Sequence, residues 1–383
     1  MNRPKHLVTL AALTATASAL TLSTLITSAD ATTHPDASRG FRQTNLVSNI
    51  PGLAAHTDPN LRNPWGTSTG PGLPIWVADN ASGVSTLYDG AGNPQPGPKD
   101  QLVVTIPGPA AAGPTAIGSP TGTAFNPTPA GFPVAKAGSS GPSRFLFATE
   151  DGTLLGWNPA VDRTHAVIAV DRSGITDPVG DVGAVYKGLA LATTSAGEFL
   201  YATNFRFGQV EMFDSNFNLV KTFTDPRIPT GFAPFGIHNI GGRLFVTFAK
   251  QDNAKHDDVA GPGNGFVDVF NTNGDLLQRF ASRGQLNSPW AVTLAPATFG
   301  TAAGDILVGN FGSGRIDTFN AANGEPAGQL RDPSGRPITI PDLWGLRFPT
   351  GSLNVTPTAL YFTAGINHEA DGLFGTITPN GSN

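Results

Sequence analysis

The chain has no cysteine. That excludes disulfides, thiol nucleophiles, thiolate zinc sites and haem attachment, and it leaves stability to packing alone. Charge is scarce too: charged residues make up 13% of the sequence, the net charge is −5, and no basic cluster exists. A role in binding nucleic-acid phosphates is therefore disfavoured. Beyond the N-terminal stretch no run approaches the roughly 18 continuous apolar residues of a membrane span, and the final "TITPNGSN" carries no hydrophobic anchor.

What is present begins with Arg3 and Lys5 ahead of an apolar stretch from Leu7 to Ile26, followed by Ala29-Asp30-Ala31. A basic start, an apolar run and small residues at the two positions a signal peptidase reads mark residues 1–31 as a secretory signal. Residues 32–42 are then expected as a flexible segment, 43–379 as one domain and 380–383 as a tail. The mature chain, with 21 basic and 27 acidic residues, is expected outside the cell. The 47 Gly and 33 Pro of the full sequence are spread as punctuation between β-rich runs, the composition of a turn-dense all-β protein.

The chain writes one phrase six times. Each unit opens with a Pro or aromatic before a small residue: "NPWGTST", "SPTGTAF", "VYKGLAL", "APFGIHN", "SPWAVTL" and "DLWGLRF". A strongly apolar run follows, such as "IWVADN" or "FLYATN", then a Gly-led run such as "SGVSTLYD" or "GFVDVFN", then a weaker fourth. The openings fall at 65, 121, 187, 235, 290 and 344, with spacings of 48 to 66 residues and no helical pattern between them. Four strands per repeat predict a six-bladed β-propeller, in which radial stacking buries sheet faces that one small sheet cannot bury alone. The sixth unit stops after its third run, while "QTNLVSNI" at 43–50 is a strand-like run without a partner. This N-terminal strand is expected to complete the last blade and latch the ring, which leaves no large open edge.

The sequence Pro-aromatic-Gly, apolar-Val-Ala-Asp-Asn, Gly-x-aliphatic-x-x-aromatic-Asp resembles the repeat of NHL-type six-bladed propellers. Through "NPWGTS", "WVADNASGVSTLYDG", "KHDDVAGPGNGFVDVFNTNG", "SPWAV" and "LYFTAGINHEADGLFG" the chain also resembles a family of secreted bacterial propeller proteins of unassigned function. The resemblance implies fold and export, and no established activity.

Candidate site residues follow from the repeat register. Connections into the first strand and out of the second share one rim, and loops on a rigid scaffold are where function is commonly carried. The four Asp-Pro steps there, at Asp58, Asp177, Asp225 and Asp332, read as turn formers, as do Asp79, Asn80, Asn204 and Asn310 at second-strand ends. Two residues past the small residue of each opening stand Ser68, Ala124, Ala190, His238, Thr293 and Arg347, a small or polar column suited to a channel wall. His238 would serve as a base or metal ligand and Arg347 as an anion clamp. Both would equally serve as hydrogen-bonded plugs. Trp65, Trp290 and Trp344, with Phe235, would either stack on a flat ligand at the mouth or wedge between blades.

The loop 250–265, "KQDNAKHDDVAGPGNG", is the one long second-to-third connection and is expected to overhang the mouth. It offers Lys255, His256, Asp257 and Asp258, with Asp252, Asp257 and Asp258 as oxygen donors for calcium or another divalent cation, although no defined calcium loop is matched. The sixth unit adds His368, Glu369 and Asp371 at the corresponding place. A site shared by His256, His368 and His238 is permitted by this register, with Glu150 a further candidate.

Two functions compete. One is a secreted, monomeric module that binds a small molecule, glycan or extracellular protein. The other is a metal-dependent hydrolase or lyase resembling the propeller lactonases, with His238, Arg347 and His368 as catalytic candidates. A quinone-dependent dehydrogenase ranks third, since nothing in the sequence marks ligands for that cofactor.

Overall fold

The computed structural model describes residues 40–97 and 99–381. The expected signal at 1–31, most of the segment at 32–42 and the last two residues lie outside the described residues. Six sheets are formed, each of at least four strands, and together they make a six-bladed β-propeller. The innermost strands are Pro64–Ser68, Pro120–Phe125, Tyr186–Thr194, Phe232–Ile240, Pro289–Leu294 and Leu343–Arg347, each beginning at or just before an opening phrase. Blade 2 carries an extra hairpin, Pro133–Lys136 with Ser139–Pro142. No helix among the described residues is long and apolar enough to cross a membrane.

The repeated letters have physical reasons. The small residue of each opening stands where neighbouring inner strands come closest: a Cβ on Gly236 would lie 2.0 Å from the Trp290 carbonyl oxygen, and one on Gly122 would lie 2.3 Å from the Leu189 nitrogen. Only hydrogen fits at these two positions, so a side chain there would push two blades apart, whereas blade 5 has the methyl of Ala291 at the equivalent place. A register shift between Pro234 and Ile237 accompanies this approach, as it does between Leu343 and Leu346. In blades 3 and 6 the Thr of the second run is a tie to the next blade. Thr203 Oγ1 donates to the Phe235 carbonyl at 2.6 Å, and Thr363 Oγ1 to that of Trp65.

Asp79, Asn204 and Asn310 at the ends of second strands are buried and brace the third strand. Asp79 accepts from the Thr86 N–H and hydroxyl, Asn204 donates to Glu211, and Asn310 donates to Asp317. The Asp-Pro steps are turns: Oδ1 of Asp58, Asp177, Asp225 and Asp332 accepts the N–H two residues on, at 2.8 to 2.9 Å.

Ring closure is by the N-terminal strand. Phe41–Ser48 lies antiparallel to Leu373–Pro379, with Phe41 opposite Pro379 and Ser48 opposite Leu373. A short parallel strand, His56–Thr57, follows on its outer side. The closing strand starts two residues before the expected 43 and ends at 48 rather than 50. Phe41 extends it because its ring is buried against Phe299, centroids 4.8 Å apart, and its N–H donates to the Arg331 carbonyl of blade 5.

Candidate functional site

The residue just before the small one in each opening points to the axis, and there the channel is closed. Trp65 and Trp344 stack at 3.5 Å between centroids; Trp290 meets Trp65 edge-on at 6.2 Å and Trp344 edge-on at 5.9 Å. Phe235 and Phe311 pack on Trp344 at 5.8 and 4.0 Å. All three indoles are at most 4% exposed. They do not stand round an open mouth for a flat ligand; they fill the axis, because six inner strands at this radius leave room for about that much side chain. Trp344 Nε1 donates to Asn63 Oδ1 at 3.0 Å and Trp290 Nε1 to the Lys187 carbonyl at 2.9 Å, while Trp65 Nε1 is buried without a partner.

In blade 3 the same column holds Lys187 instead of an aromatic. Its ammonium lies 5.2 Å from the Trp65 ring centroid and 5.9 Å from that of Phe205. It pairs with Glu150 from blade 2 and, at 3.1 Å, with Asp257 from the long loop of blade 4. Asn80 of blade 1 donates to the other oxygen of Glu150 at 2.8 Å. Asn63 donates to Asn80 at 3.3 Å and to Glu369 of blade 6 at 2.7 Å. His256 Nδ1 lies 2.9 Å from Asp257 Oδ1. Side chains of blades 1, 2, 3, 4 and 6 thus form one connected polar layer on the aromatic floor.

The local backbone is shaped to present these groups. Asn367, His368 and Glu369 are three successive non-glycine residues with φ of 60, 57 and 64°. Left-handed backbone costs on the order of 1 kcal/mol per residue, and here it lifts Glu369 over the floor. The Glu369 N–H donates to the Gly365 carbonyl at 2.6 Å and that of His368 to Asp342 at 3.0 Å. The loop after Lys250 is pinned by Asp252, whose Oδ1 accepts the backbone N–H of His256 and of Asp257, and by Lys255 pairing with Asp181.

Electrostatics follow from the low dielectric of this floor. Burial opposes the charge on Lys187, but Glu150 and Asp257 outweigh it and hold the ammonium above the usual lysine value. The hydrogen bond to His256, helped by Lys187, keeps the Asp257 carboxyl well below its ordinary range, and the same bond raises His256. Burial pushes Glu369 up to about 7 and Asp258 up to about 6. The mouth therefore combines one permanently charged cation with carboxylates that differ in readiness to ionise.

One ligand atom each of Glu150, His256 and Asp257 lies within 4.8 Å of the others, close enough to share a metal ion. Asp252 is not in that group, being occupied by its own loop, and Oδ2 of Asp258 is buried without a hydrogen-bond partner. His368 is exposed, and its ring makes no hydrogen bond or ion pair among the described residues.

His238 and Arg347 do not join this mouth. They stand three residues past the floor position along their strands, beyond the aromatic layer, and line a separate hollow with Ser68, Ala124, Ala190 and Thr293. The six-residue column is thus a channel wall. A single site uniting His238 with His256 and His368 is not formed, because strand direction carries His238 to the opposite side of the closed floor.

No family profile matches the chain. It is 35% identical over 339 residues to the uncharacterized protein R648 of Acanthamoeba polyphaga mimivirus, covering 87% of this chain and 78% of that one. It is also 35% identical over 340 residues to the uncharacterized protein L690 of the same virus, covering 87% and 84%. The chain belongs to the family of these mimivirus proteins. Among solved structures this family member is similar to a streptogramin B lyase, with a TM-score of 0.48 at 11% identity over 89% of this chain and 97% of that one. It is similar to the PQQ-bound aldose sugar dehydrogenase of Streptomyces coelicolor at 0.46 and 11%, over 88% and 98%. At these values the likeness says nothing about chemistry at the mouth. The matched relatives are viral, and none of them bears on the resemblance to a secreted bacterial family.

In this family member the central group of the mouth is one that sequence reasoning missed. Lys187 was visible in "VYKGLAL" as a charge in a column that four other units fill with Trp or Phe and one with Thr121. Glu150, adjacent in the next blade round, was visible only as a carboxylate at a second-strand end.

Proposed function

We propose that the protein is a ligand-binding propeller, exported through its first 31 residues, that works at the polar mouth around Lys187. The observation that carries this reading is the convergence of Asn63, Asn80, Glu150, Lys187, Asp257 and Glu369, from five blades, on a floor that blocks passage. Held strain at Asn367 to Glu369 supports it, since strained backbone persists where the surrounding structure has a use for the geometry. The groups within reach of solvent are chiefly acceptors. Asp257 is 66% exposed and His256 39%, whereas Lys187 is 2% exposed and serves as their fixed counter-ion. The matching ligand is rich in hydrogen-bond donors, a glycan or a small polyhydroxylated or amine-bearing molecule. The test is a glycan array followed by calorimetric titration of the best hits. Asp257→Asn combined with Glu369→Gln is expected to weaken them at least ten-fold with the fold intact; unchanged affinity would move the site elsewhere.

A second reading, a hydrolase or lyase dependent on a divalent cation, is favoured by the spacing of Glu150, His256 and Asp257. One imidazole and two carboxylates make an acceptable donor set for zinc or manganese, and a poorer one for calcium, which prefers oxygen alone. Lys187 counts against it, since its ammonium already neutralises two of the three donors. Elemental analysis of the purified protein, with thermal shift in calcium, zinc and chelator, separates the two: a stoichiometric ion and a chelator-sensitive melting temperature select the metal reading.

A further inference from the structure

Beyond the aromatic floor the channel opens again as a hollow of about 390 Å³. Each blade contributes one residue of the column Ser68, Ala124, Ala190, His238, Thr293 and Arg347 to its wall. Arg347 is the one charged residue in that lining among the described residues. Its Nε donates to the Thr67 carbonyl at 2.9 Å and to Thr67 Oγ1 at 3.3 Å, which fixes the plane of the guanidinium. The two terminal nitrogens make no hydrogen bond and no ion pair among the described residues. Burial without a counter-charge pulls Arg347 down to about 10. Arg347 is only half-buried, its free side faces the hollow, and no carboxylate in the lining answers it.

The neighbours complete a pattern. His238 Nε2 donates to the Trp290 carbonyl at 3.1 Å, so the ring is held in one tautomer and Nδ1 is left as an acceptor toward the hollow. Burial lowers His238 to about 4, which keeps it neutral at physiological pH. Around the two stand hydroxyls: Ser68 and Thr123, hydrogen-bonded to each other at 2.9 Å, with Thr293.

We propose that this second hollow binds a small hydroxylated carboxylate, with its carboxylate forked on the free side of Arg347 and its hydroxyls on His238 Nδ1 and the Ser/Thr wall. One guanidinium matches one carboxylate in bidentate geometry, and the lack of any second cation in the lining argues against a phosphate, whose greater charge calls for more donors. The volume suits a ligand of a handful to some two dozen heavy atoms. The inference goes beyond the polar mouth and does not depend on it, since the aromatic floor lies between the two.

The test is isothermal titration of the full chain with glycerate, gluconate and galacturonate, with glucose as the neutral analogue and inorganic phosphate as an anion lacking a hydroxylated body. At least one of the acids is expected to bind, with glucose and phosphate each at least ten-fold weaker. Arg347→Gln should lose that binding at least ten-fold, and Arg347→Lys, which keeps the charge without the fork, should lose most of it. Thr293→Phe, filling the hollow from another blade without touching the guanidinium, should abolish it even if the Arg347 variants fold poorly. Asp257→Asn at the other mouth should leave it unchanged, so the two sites fail separately. Equal affinity for gluconate and glucose, phosphate binding as tight as the acids, undiminished binding in Thr293→Phe, or no heat from any acid at about 10 mM, a level that would still reveal a millimolar Kd, would overturn the proposal.

Discussion

The two ends of one channel are finished in opposite ways. At the end reached by the second-strand loops, a buried lysine is enclosed by two carboxylates and an aromatic ring, and nearly every polar atom is answered by another. At the other end a guanidinium of the same charge is anchored on one side only and its remaining donors face a void. Lys187 holds the floor position of its innermost strand and Arg347 stands three residues past that position on another, so the same kind of strand carries both cations and the fold alone does not decide which is structural. The decision comes from whether a loop reaches in with a carboxylate. The extended connection of blade 4 does so on one side, and nothing in the lining does so on the other.

The largest expected effect is from removing the partition. Trp344→Ala should cost about 3–5 kcal/mol, read as a drop in melting temperature, and should join the two hollows. Next is Lys187→Met, which leaves Glu150 and Asp257 facing each other without a cation. A loss of about 3 kcal/mol is expected, with partial recovery on adding calcium or manganese or on a second change, Glu150→Gln. If Lys187→Met melts like the parent, the lysine is not the neutralising element and the contrast drawn above fails.

Acidity separates the ends with opposite signs. Glu369 is raised to about 7 in the fold, above its ordinary value, so stability is lost as pH rises from about 4.5 through 7. His238 is lowered to about 4, below its ordinary 6.5, so stability is lost as pH falls from 6.5 through 4. Glu369→Gln should therefore remove a fall in stability between about pH 4.5 and 7, and His238→Gln a rise between about pH 4 and 6.5, each of about 1–2 kcal/mol, so the two variants tilt the plot of melting temperature against pH in opposite senses over nearly the same window. A variant that tilts it the other way would show that its group titrates in other company. The smallest effect is expected of His368→Ala. Its ring is exposed and makes no hydrogen bond or ion pair among the described residues, so stability should move by less than about 0.5 kcal/mol, and only ligand titration would reveal any part it plays at the rim.

Much of this architecture was legible before any coordinates. The opening phrase carries a clearance requirement, visible as Gly66, Gly122, Gly188, Gly236 and Gly345, which recurs because neighbouring inner strands approach in the same way, and the second runs of blades 3 and 6 carry a Thr tie. The missing fourth run in the last unit and the spare strand at the start told how the ring closes. The column from Ser68 to Arg347 was legible as a wall for the same reason. What the letters did not reveal was the side of the floor on which each residue falls. His238 is three residues from Phe235, and that short step along a strand carries it from one compartment to the next. Nor did they reveal the pairing of Lys187 with Glu150 or of Asn63 with Glu369, 306 residues apart, since such contacts depend on how blades rotate about the axis. The three tryptophans were ambiguous because the same ring can line an opening or fill it, and the radius of the innermost strands decides.

Closure by the first strand has a topological consequence. The Asn380 N–H donates to the Gly40 carbonyl at 2.8 Å, so the two ends of the described chain lie side by side at the rim of one sheet. A short linker joining them would convert the backbone into a loop with no preferred starting point. The gene could then be opened between any two blades, giving a permuted protein in which neither hollow has to be rebuilt.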